Sequence, residues 1–297
     1  MSDGGVAIRR ACAEDREQVF VIASQIWEGE DYVPDVWDAW LADVRGQLTV
    51  ALLAGRVVGF AKLTEHGPGE WWLEGIRVDP IFRGRGIARQ LHDYHVALAG
   101  QVATGVLRFV TGSDTRPIHH VATTTGFCAV GRYRRMAATP SAGESPPLTV
   151  WRRADLPQLE AFLRRSARLR ADHGLYSGTW SFYELTPARL AGFVATRRAL
   201  GWRAAGGEIA ALVLLDHERD RGRLHVAFAG ARLRGPLNFY ALAVALRAVA
   251  ARRRLPGVTL DVPADSSWQR ALARSGYIHE QVDGDELWVF ERRLTSG

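Results

Sequence analysis

The stretch from Leu73 to Leu91, LEGIRVDPIFRGRGIARQL, constrains this chain more than any other. An apolar strand runs to Pro80, two glycines follow at a spacing of two, Gly84 and Gly86, and a helical pattern begins. Ile87, Leu91, Tyr94 and Leu98 share one face of that helix. A strand that breaks into a glycine turn and then a helix carries its chain across a sheet face. This region is therefore committed to a parallel crossover and to layered α/β structure. The turn is also an anion cradle. Glycine lets backbone approach a ligand closely. The helix start has N–H groups with no partner inside the helix, and its dipole favours negative charge. Arg83 and Arg85 add positive potential. A pyrophosphate fits such a turn, but a tight turn needs no ligand, and glycine spacing alone leaves both readings open.

Patterning along the rest of the first half predicts a strand over 6–11, helices over 14–27 and 35–45, and strands near 47–54, 57–65 and 70–79. After the turn come a helix over 87–100, a strand over 106–112, a helix over 116–125 and terminal strands beyond Gly126. Strands that run into one another make an antiparallel meander. With the later crossover they define the fold class as α/β, a mixed sheet flanked by helices. The segment 138–148 is rich in Pro, Gly, Ser and Ala without apolar periodicity, and reads as a linker. Landmarks recur on its two sides in the same order. Ala7-Ile8-Arg9-Arg10-Ala11 matches Val150-Trp151-Arg152-Arg153-Ala154, the turn at Gly55 matches that at Gly206-Gly207, and Gly126-Phe127 matches Gly276-Tyr277. The chain is expected to be a duplication: a domain over 1–140, a linker over 141–147 and a related domain over 148–297.

Arg83-Gly84-Arg85-Gly86-Ile87-Ala88 resembles the Arg/Gln-x-x-Gly-x-Gly/Ala motif of the GCN5-related N-acetyltransferase (GNAT) superfamily. Val78-Asp79-Pro80 before it and Gly126-Phe127 after it also sit where that family has them, so the resemblance spans 6–137. It implies a sheet whose fourth and fifth strands splay apart, with acetyl-CoA as co-substrate in the gap and no metal. It implies that backbone from Arg83, Gly84, Arg85, Gly86, Ile87 and Ala88 holds the pyrophosphate. Backbone at Ile76, Arg77 and Val78 is then expected to hold the pantetheine arm and the thioester carbonyl. A dinucleotide site of the Rossmann type fits poorly, because the strands before the loop form a meander and Gly-x-Gly-x-x-Gly is incomplete.

Acyl transfer to an amine needs a neutral nitrogen, a polarised carbonyl and a proton for the leaving thiolate. Glu74 is the candidate base. Two-residue alternation puts it on one face with Ile76 and Val78; the competing reading is a salt-bridged strand glutamate. Glu70 is a second, weaker candidate. The tyrosine that many family members carry four residues before the late glycine is absent here, where Ala122 stands, and Thr115 falls where an asparagine is frequent. His119 and His120, on the same helix, are the candidate proton donors, against the reading of ordinary helix histidines. The acceptor is expected beside the loop Trp27-Glu28-Gly29-Glu30-Asp31-Tyr32, where carboxylates next to aromatics suit a cationic amine. Trp27, Glu28, Asp31 and Tyr32 are the candidate contacts, against the reading of a solvated loop with Trp27 in the core. Trp37 and Trp40 read as core, and one of Trp71 and Trp72 as a pocket residue.

In the second half the equivalent stretch is Phe228 to Phe239. Aligned on Arg234-Gly235, Leu237 replaces Gly86 and Pro236 removes an N–H donor, so no CoA site is expected there.

Composition closes off other classes. Cys12 and Cys128 have neither metal-ligand nor disulfide-framework spacing. No apolar run reaches the ~20 residues a membrane helix needs, and residues 1–5 carry no signal pattern, so a cytoplasmic protein without a membrane partner is expected. The net charge of +6 is uneven: residues 1–147 hold 15 basic and 17 acidic residues, residues 148–297 hold 23 and 15. The arginines are scattered along helical segments with no nucleic-acid motif, so a nucleic-acid partner is not expected. The reading that results is an acetyl-CoA-dependent N-acetyltransferase acting on a small-molecule or peptide amine, by direct attack in a ternary complex. It would work as a monomer that is a pseudo-dimer within one chain, or as a homodimer. The alternatives are a non-catalytic acyl-CoA sensor, or a transferase for another acyl group or an alcohol.

Overall fold

The computed structural model describes residues 5–102, 104–220, 222–232, 237–264, 266–282 and 284–294. Strand β1 (Ala7–Arg10) leads to helices α1 (Arg16–Ala23) and α2 (Val33–Ala42). The meander β2 (Gln47–Leu53), β3 (Arg56–Gly67) and β4 (Glu70–Val78) follows, then α3 (Ile87–Val102), β5 (Gly105–Gly112) and α4 (Arg116–Thr124). Beyond these lie β6 (Cys128–Ala138), β7 (Thr149–Val150), α5 (Leu156–Arg164), α6 (Ala167–Ala171), the hairpin β8 (Leu175–Ser177) and β9 (Phe182–Glu184), and α7 (Pro187–Ala195). The chain ends with β10 (Ala199–Arg203), β11 (Ile209–Asp220), β12 (Arg223–Ala231), α8 (Leu237–Arg252), β13 (Val258–Pro263), α9 (Ser267–Arg274), β14 (Ile278–Glu280) and β15 (Leu287–Leu294).

Two compact units form. The first holds residues up to Phe109, Pro117–Cys128 and those from Phe290 onward; the second holds Val110–Arg116 and Ala129–Val289. The Pro/Gly/Ser/Ala segment thus lies inside the second unit, and the last strand is divided before Phe290. A linker pattern marks where no element forms, but unit membership follows the partners the flanking strands find, and these are distant in sequence.

In the first unit β1, β2, β3 and β4 pair antiparallel in that order. β5 joins β4 in parallel after the α3 crossover. One face carries α1 and α2, whose Val19, Ile22, Trp37 and Trp40 pack with Val50, Val57 and Phe60. On the other, Ile87 and Leu91 of α3 pack with Ala51, Val58 and Ala61. The buried stripe of α3 continues through His92, His95 and Ala99, while Tyr94 and Leu98 are half-buried. Both histidines hold core positions because each finds a hydroxyl: His95 Nε2 is 2.8 Å from Thr49 Oγ1, and His92 Nε2 is 2.9 Å from Thr125 Oγ1. Burial keeps both rings neutral, lowering His92 to about 4 and His95 to about 3.

The second unit repeats this order. β10, β11 and β12 pair antiparallel, and β13 joins β12 in parallel after α8. Between α5 and α7, where the first unit has only a short loop between α1 and α2, it carries α6 and the β8–β9 hairpin. A buried ionic network ties this insertion to the sheet. Arg168 pairs with Asp172 at 2.6 Å and donates to the Asp261 carbonyl at 2.7 Å, and Arg135 pairs with Asp261 at 2.9 Å. Burial pushes the Asp172 carboxyl up to about 6 even with Arg168 beside it. Residues 233–236, with Gly235 and Pro236, lie outside the described residues, as does the Leu237 side chain.

Candidate active site

The turn between β4 and α3 is anchored from below by Asp79, which is fully buried. Its N–H donates to the Val58 carbonyl, its Oδ1 accepts from the Ile81 N–H at 3.0 Å, and its Oδ2 accepts from Arg56 Nη2 at 2.7 Å. Two guanidinium groups, Arg56 and Arg85, lie over the Phe82 ring at 5.2 and 5.3 Å from its centroid. Above this base Gly84 and Gly86 take φ of 77° and 76°, the left-handed region that favours glycine. A Cβ added at either would meet nothing within 4 Å. The backbone is thus held in a conformation selected for closeness, with open space on the side where a side chain would lie. Helix α3 starts at once, its Gln90 N–H donating to the Gly86 carbonyl at 3.0 Å. Gly59 lets it sit down on β3: a Cβ there would lie 2.9 Å from the Arg77 carbonyl and 3.2 Å from Ile87. Shape, helix terminus and the exposed Arg83 and Arg85 suit a phosphate-bearing ligand.

The neighbouring edge of β4 is open. Pairing with β5 covers only Glu70, Trp71 and Trp72, against Val106, Leu107 and Arg108, and stops there. The strands part where β4 approaches the turn. On its other edge β4 carries a bulge. Phe60 is opposite Arg77 but Lys62 is opposite Glu74, so β4 spends one residue more than β3. The extra residue is at Gly75, with φ 66°, where a Cβ would lie 2.6 Å from Trp40 Cη2.

This bulge corrects one expectation. Alternation alone put Glu74 on a face with Ile76 and Val78. Across the bulge the alternation slips, and Ile76 and Val78 pack on the α3 side. Glu74, opposite Lys62, shares instead the α1–α2 side with Arg77, opposite Phe60. An isolated glycine inside a strand is the sequence signal for such a bulge.

On that side the acceptor loop closes around Arg77. Its Nε donates to Asp31 Oδ2 at 2.8 Å and its Nη1 to the Ile76 carbonyl at 3.1 Å. Its guanidinium lies 4.4 Å from the Trp27 ring centroid and 5.8 Å from that of Tyr32. Asp31 is 1% exposed and Arg77 13%. Asp31, expected as an open acceptor contact, is therefore taken up by Arg77 and the Val33 N–H. Glu28 is exposed, and Trp27 is 47% exposed. Trp27, Glu28 and Gly29 all have positive φ, at 46°, 58° and 92°, a strained run held by the contacts just described. Tyr32 stands edge-on to Trp40 at 5.9 Å. Burial, with Glu74 adding to it, raises the Tyr32 phenol, so it stays protonated.

Glu74 accepts a hydrogen bond from Thr64 Oγ1. Lys62, the chain's single lysine, is 1% exposed and pairs with Asp43 at 2.5 Å. Burial lowers its pKa against the opposing pull of Asp43. Glu70 is bound to Arg108 at 2.8 Å, and Arg108 also holds Glu291 at 2.7 Å. Trp37, Trp40, Trp71 and Trp72 are all buried. His119 is half-buried, edge-on to Phe290 at 5.2 Å, and His120 is exposed on α4. The parts that sequence reasoning missed are the Arg77 side chain, which had entered only as backbone, and Thr64.

Residues 12–127 match the family described as the acetyltransferase (GNAT) family. Histidine N-acetyltransferase from Oreochromis niloticus is 32% identical over 89 residues, 30% of this chain and 26% of that protein. Histidine N-acetyltransferase from Xenopus tropicalis is 31% identical over 97 residues, 32% of this chain and 30% of that protein. The chain thus matches under a third of the length of these curated relatives. Among solved structures, a GCN5-related N-acetyltransferase from Sphaerobacter thermophilus aligns over 98% of this chain and 96% of its own, with TM-score 0.69 and 16% identity. A tandem GNAT protein from the clavulanic acid biosynthesis pathway aligns over 99% and 100%, with TM-score 0.57 and 15% identity. At such identities the structures speak for the fold.

Proposed function

We propose that this chain, a member of the acetyltransferase (GNAT) family through residues 12–127, transfers an acetyl group from acetyl-CoA to the amine of a small molecule or peptide. The observation that carries this reading is the turn at 83–88, two left-handed glycines over open space at a helix start, beside the unpaired edge of β4. Backbone from Arg83 to Ala88 holds the pyrophosphate there, and Ile76, Arg77 and Val78 offer backbone to the pantetheine arm and thioester carbonyl. Acetyl-CoA supplies the activated acyl carbon.

The rest falls to the chain's own residues. Glu74 takes a proton from the acceptor ammonium, directly or through water, with Thr64 fixing one carboxylate oxygen. The amine nitrogen attacks the carbonyl carbon in a ternary complex, the C–S bond breaks, and the thiolate takes a proton. A thiol pKa of about 8.5 makes a strong acid unnecessary. His119 and His120 are the candidate donors on α4. Trp27, Glu28 and Tyr32 line the acceptor side. The acceptor named for the curated relatives, histidine, belongs first in an amine screen. The second domain is read as silent toward CoA, and the protein as cytoplasmic, a monomer or homodimer. No helix among the described residues is long and apolar enough to cross a membrane.

The test is steady-state acetyl transfer over a panel of amines, with Glu74→Gln beside the wild type. Transfer in the wild type, reduced roughly 10²- to 10⁴-fold in the variant, is expected of a general base. Unchanged turnover in Glu74→Gln would remove Glu74 from the chemistry. Tight acetyl-CoA binding with no turnover on any amine would sink the transferase reading.

A further inference from the structure

The bulge at Gly75 brings two opposite charges, Glu74 and Arg77, to one face of β4. The acceptor loop is organised around the second of them. Asp31 clamps one edge of the guanidinium, the Ile76 carbonyl takes another donor, and Trp27 covers its plane. Three consecutive residues with positive φ, Trp27, Glu28 and Gly29, position that cover. Backbone conformations of this kind persist where the surroundings over-determine them, and they cluster at ligand sites. A guanidinium carries five N–H donors in a planar fork. Two of them go to Asp31 and the Ile76 carbonyl, and the guanidinium also interacts with the Tyr32 phenol beside it. Bridging two carboxylates is within its reach, and this chain does so elsewhere, where Arg108 holds Glu70 and Glu291 at 2.8 and 2.7 Å.

The geometry points to Arg77 as the residue that selects an acceptor carrying a carboxylate beside its amine, an α-amino acid, whose ammonium faces Glu74 while its carboxylate faces Arg77. This rests on the acceptor side of the transferase reading. A zwitterion presents the complementary charge pair in one small molecule. An amine without a carboxylate forgoes the charge-assisted hydrogen bonds that the mostly buried fork can offer, and in such a site those bonds discriminate between acceptors.

The test compares matched pairs that differ only in the carboxylate: L-histidine with histamine, L-tyrosine with tyramine, and L-lysine with cadaverine. Rates are expressed per neutral amine. In the wild type the preferred amino acid should exceed its decarboxylated partner in kcat/KM by about 10- to 100-fold, the discrimination of a charge-assisted hydrogen bond. In Arg77→Gln that ratio should collapse toward one, and Arg77→Lys, with charge but no fork, should fall between. A purely structural role for Arg77 would lower both members of a pair together and keep their ratio. That outcome, or a wild type that treats every pair alike within threefold, overturns the proposal and leaves the acetyltransferase reading standing. The same pairs titrated calorimetrically into CoA-saturated protein need no turnover. A carboxylate preference that disappears in Arg77→Gln supports the proposal even if no transfer occurs, in which case the transferase reading fails alone. Binding with no carboxylate preference, or no binding of any probe, overturns it.

Discussion

Replacing Gly86 by alanine separates the stability of the turn from its use. Gly86 has φ 76°, and a Cβ there meets nothing within 4 Å. The protein therefore contributes no steric term, and the cost to folding is the left-handed strain of an L-residue, about 1–2 kcal/mol. That corresponds to a fall in melting temperature of roughly 3–10 °C for the first domain. The same strain is present in free and bound protein, so it cancels from the affinity. What remains for binding is a methyl group where the cradle would receive phosphate oxygens. Losing one charge-assisted hydrogen bond at about 1.5–3 kcal/mol weakens acetyl-CoA roughly 10- to 150-fold. Gly55→Ala is the matched control. Gly55 also has a left-handed φ, 80°, and open space around its Cβ, but it sits in the β2–β3 hairpin. It should melt lower by a similar amount and bind acetyl-CoA like the wild type. Calorimetric titration and a thermal melt on the three proteins decide the matter. If Gly86→Ala melts as expected but binds acetyl-CoA within twofold of the wild type, the ligand does not enter the cradle, and the open space above the glycines does not receive phosphate.

Gly75→Ala should cost more than Gly86→Ala, because the same strain is joined by a clash with Trp40 at 2.6 Å. A loss of about 2–5 kcal/mol in denaturant unfolding is expected, and Gly75→Asn, which tolerates the backbone but not the contact, should recover only part of it; a loss below 1 kcal/mol for Gly75→Ala would mean that the bulge is not held as described. The neutral histidines make the first unit acid-sensitive. With folded pKa values of about 4 for His92 and about 3 for His95, their stabilisation is complete above the ordinary histidine value and drains away as pH falls below about 6.5. His95→Gln should flatten the slope of stability between pH 7 and pH 5 by about 1 kcal/mol per pH unit on average, approaching about 1.4 only well below pH 6.5, and an unchanged slope would contradict the burial argument. Asp172 works in the opposite sense: its pKa of about 6 lies above the unfolded carboxylate value. Its contribution is complete below pH 4 and is lost as pH rises through 6, so Asp172→Asn should gain on the wild type between pH 5 and pH 7.5 in urea melts; a variant that loses ground over that window refutes the assignment.

Much of this protein is determined locally and could be read without coordinates. The meander, the α3 crossover, the glycine turn and the duplication depend on periodicities and breakers that span a few residues each, and the observed elements follow them closely. The backbone shape of the turn belongs to the same class, because a left-handed glycine pair before a helix is a property of consecutive residues. Other features were decided by contacts across the fold. Gly75 turned alternation through one residue because Trp40, thirty-five positions earlier, fills the space where a side chain would lie. That single slip moved Glu74 to the face of Arg77 and brought Arg77 against Asp31 and Trp27. Asp31 looked like an open anion in the sequence and is a buried partner in the structure. His92 and His95 sit in the α3 stripe because Thr125 and Thr49 come within reach of their rings. Unit membership of the last strand depends on pairing partners that no local pattern encodes. Period and turn chemistry are short-range and legible, whereas the face a residue serves once a strand bulges, and the partner a buried charge finds, are set by whatever packs against it.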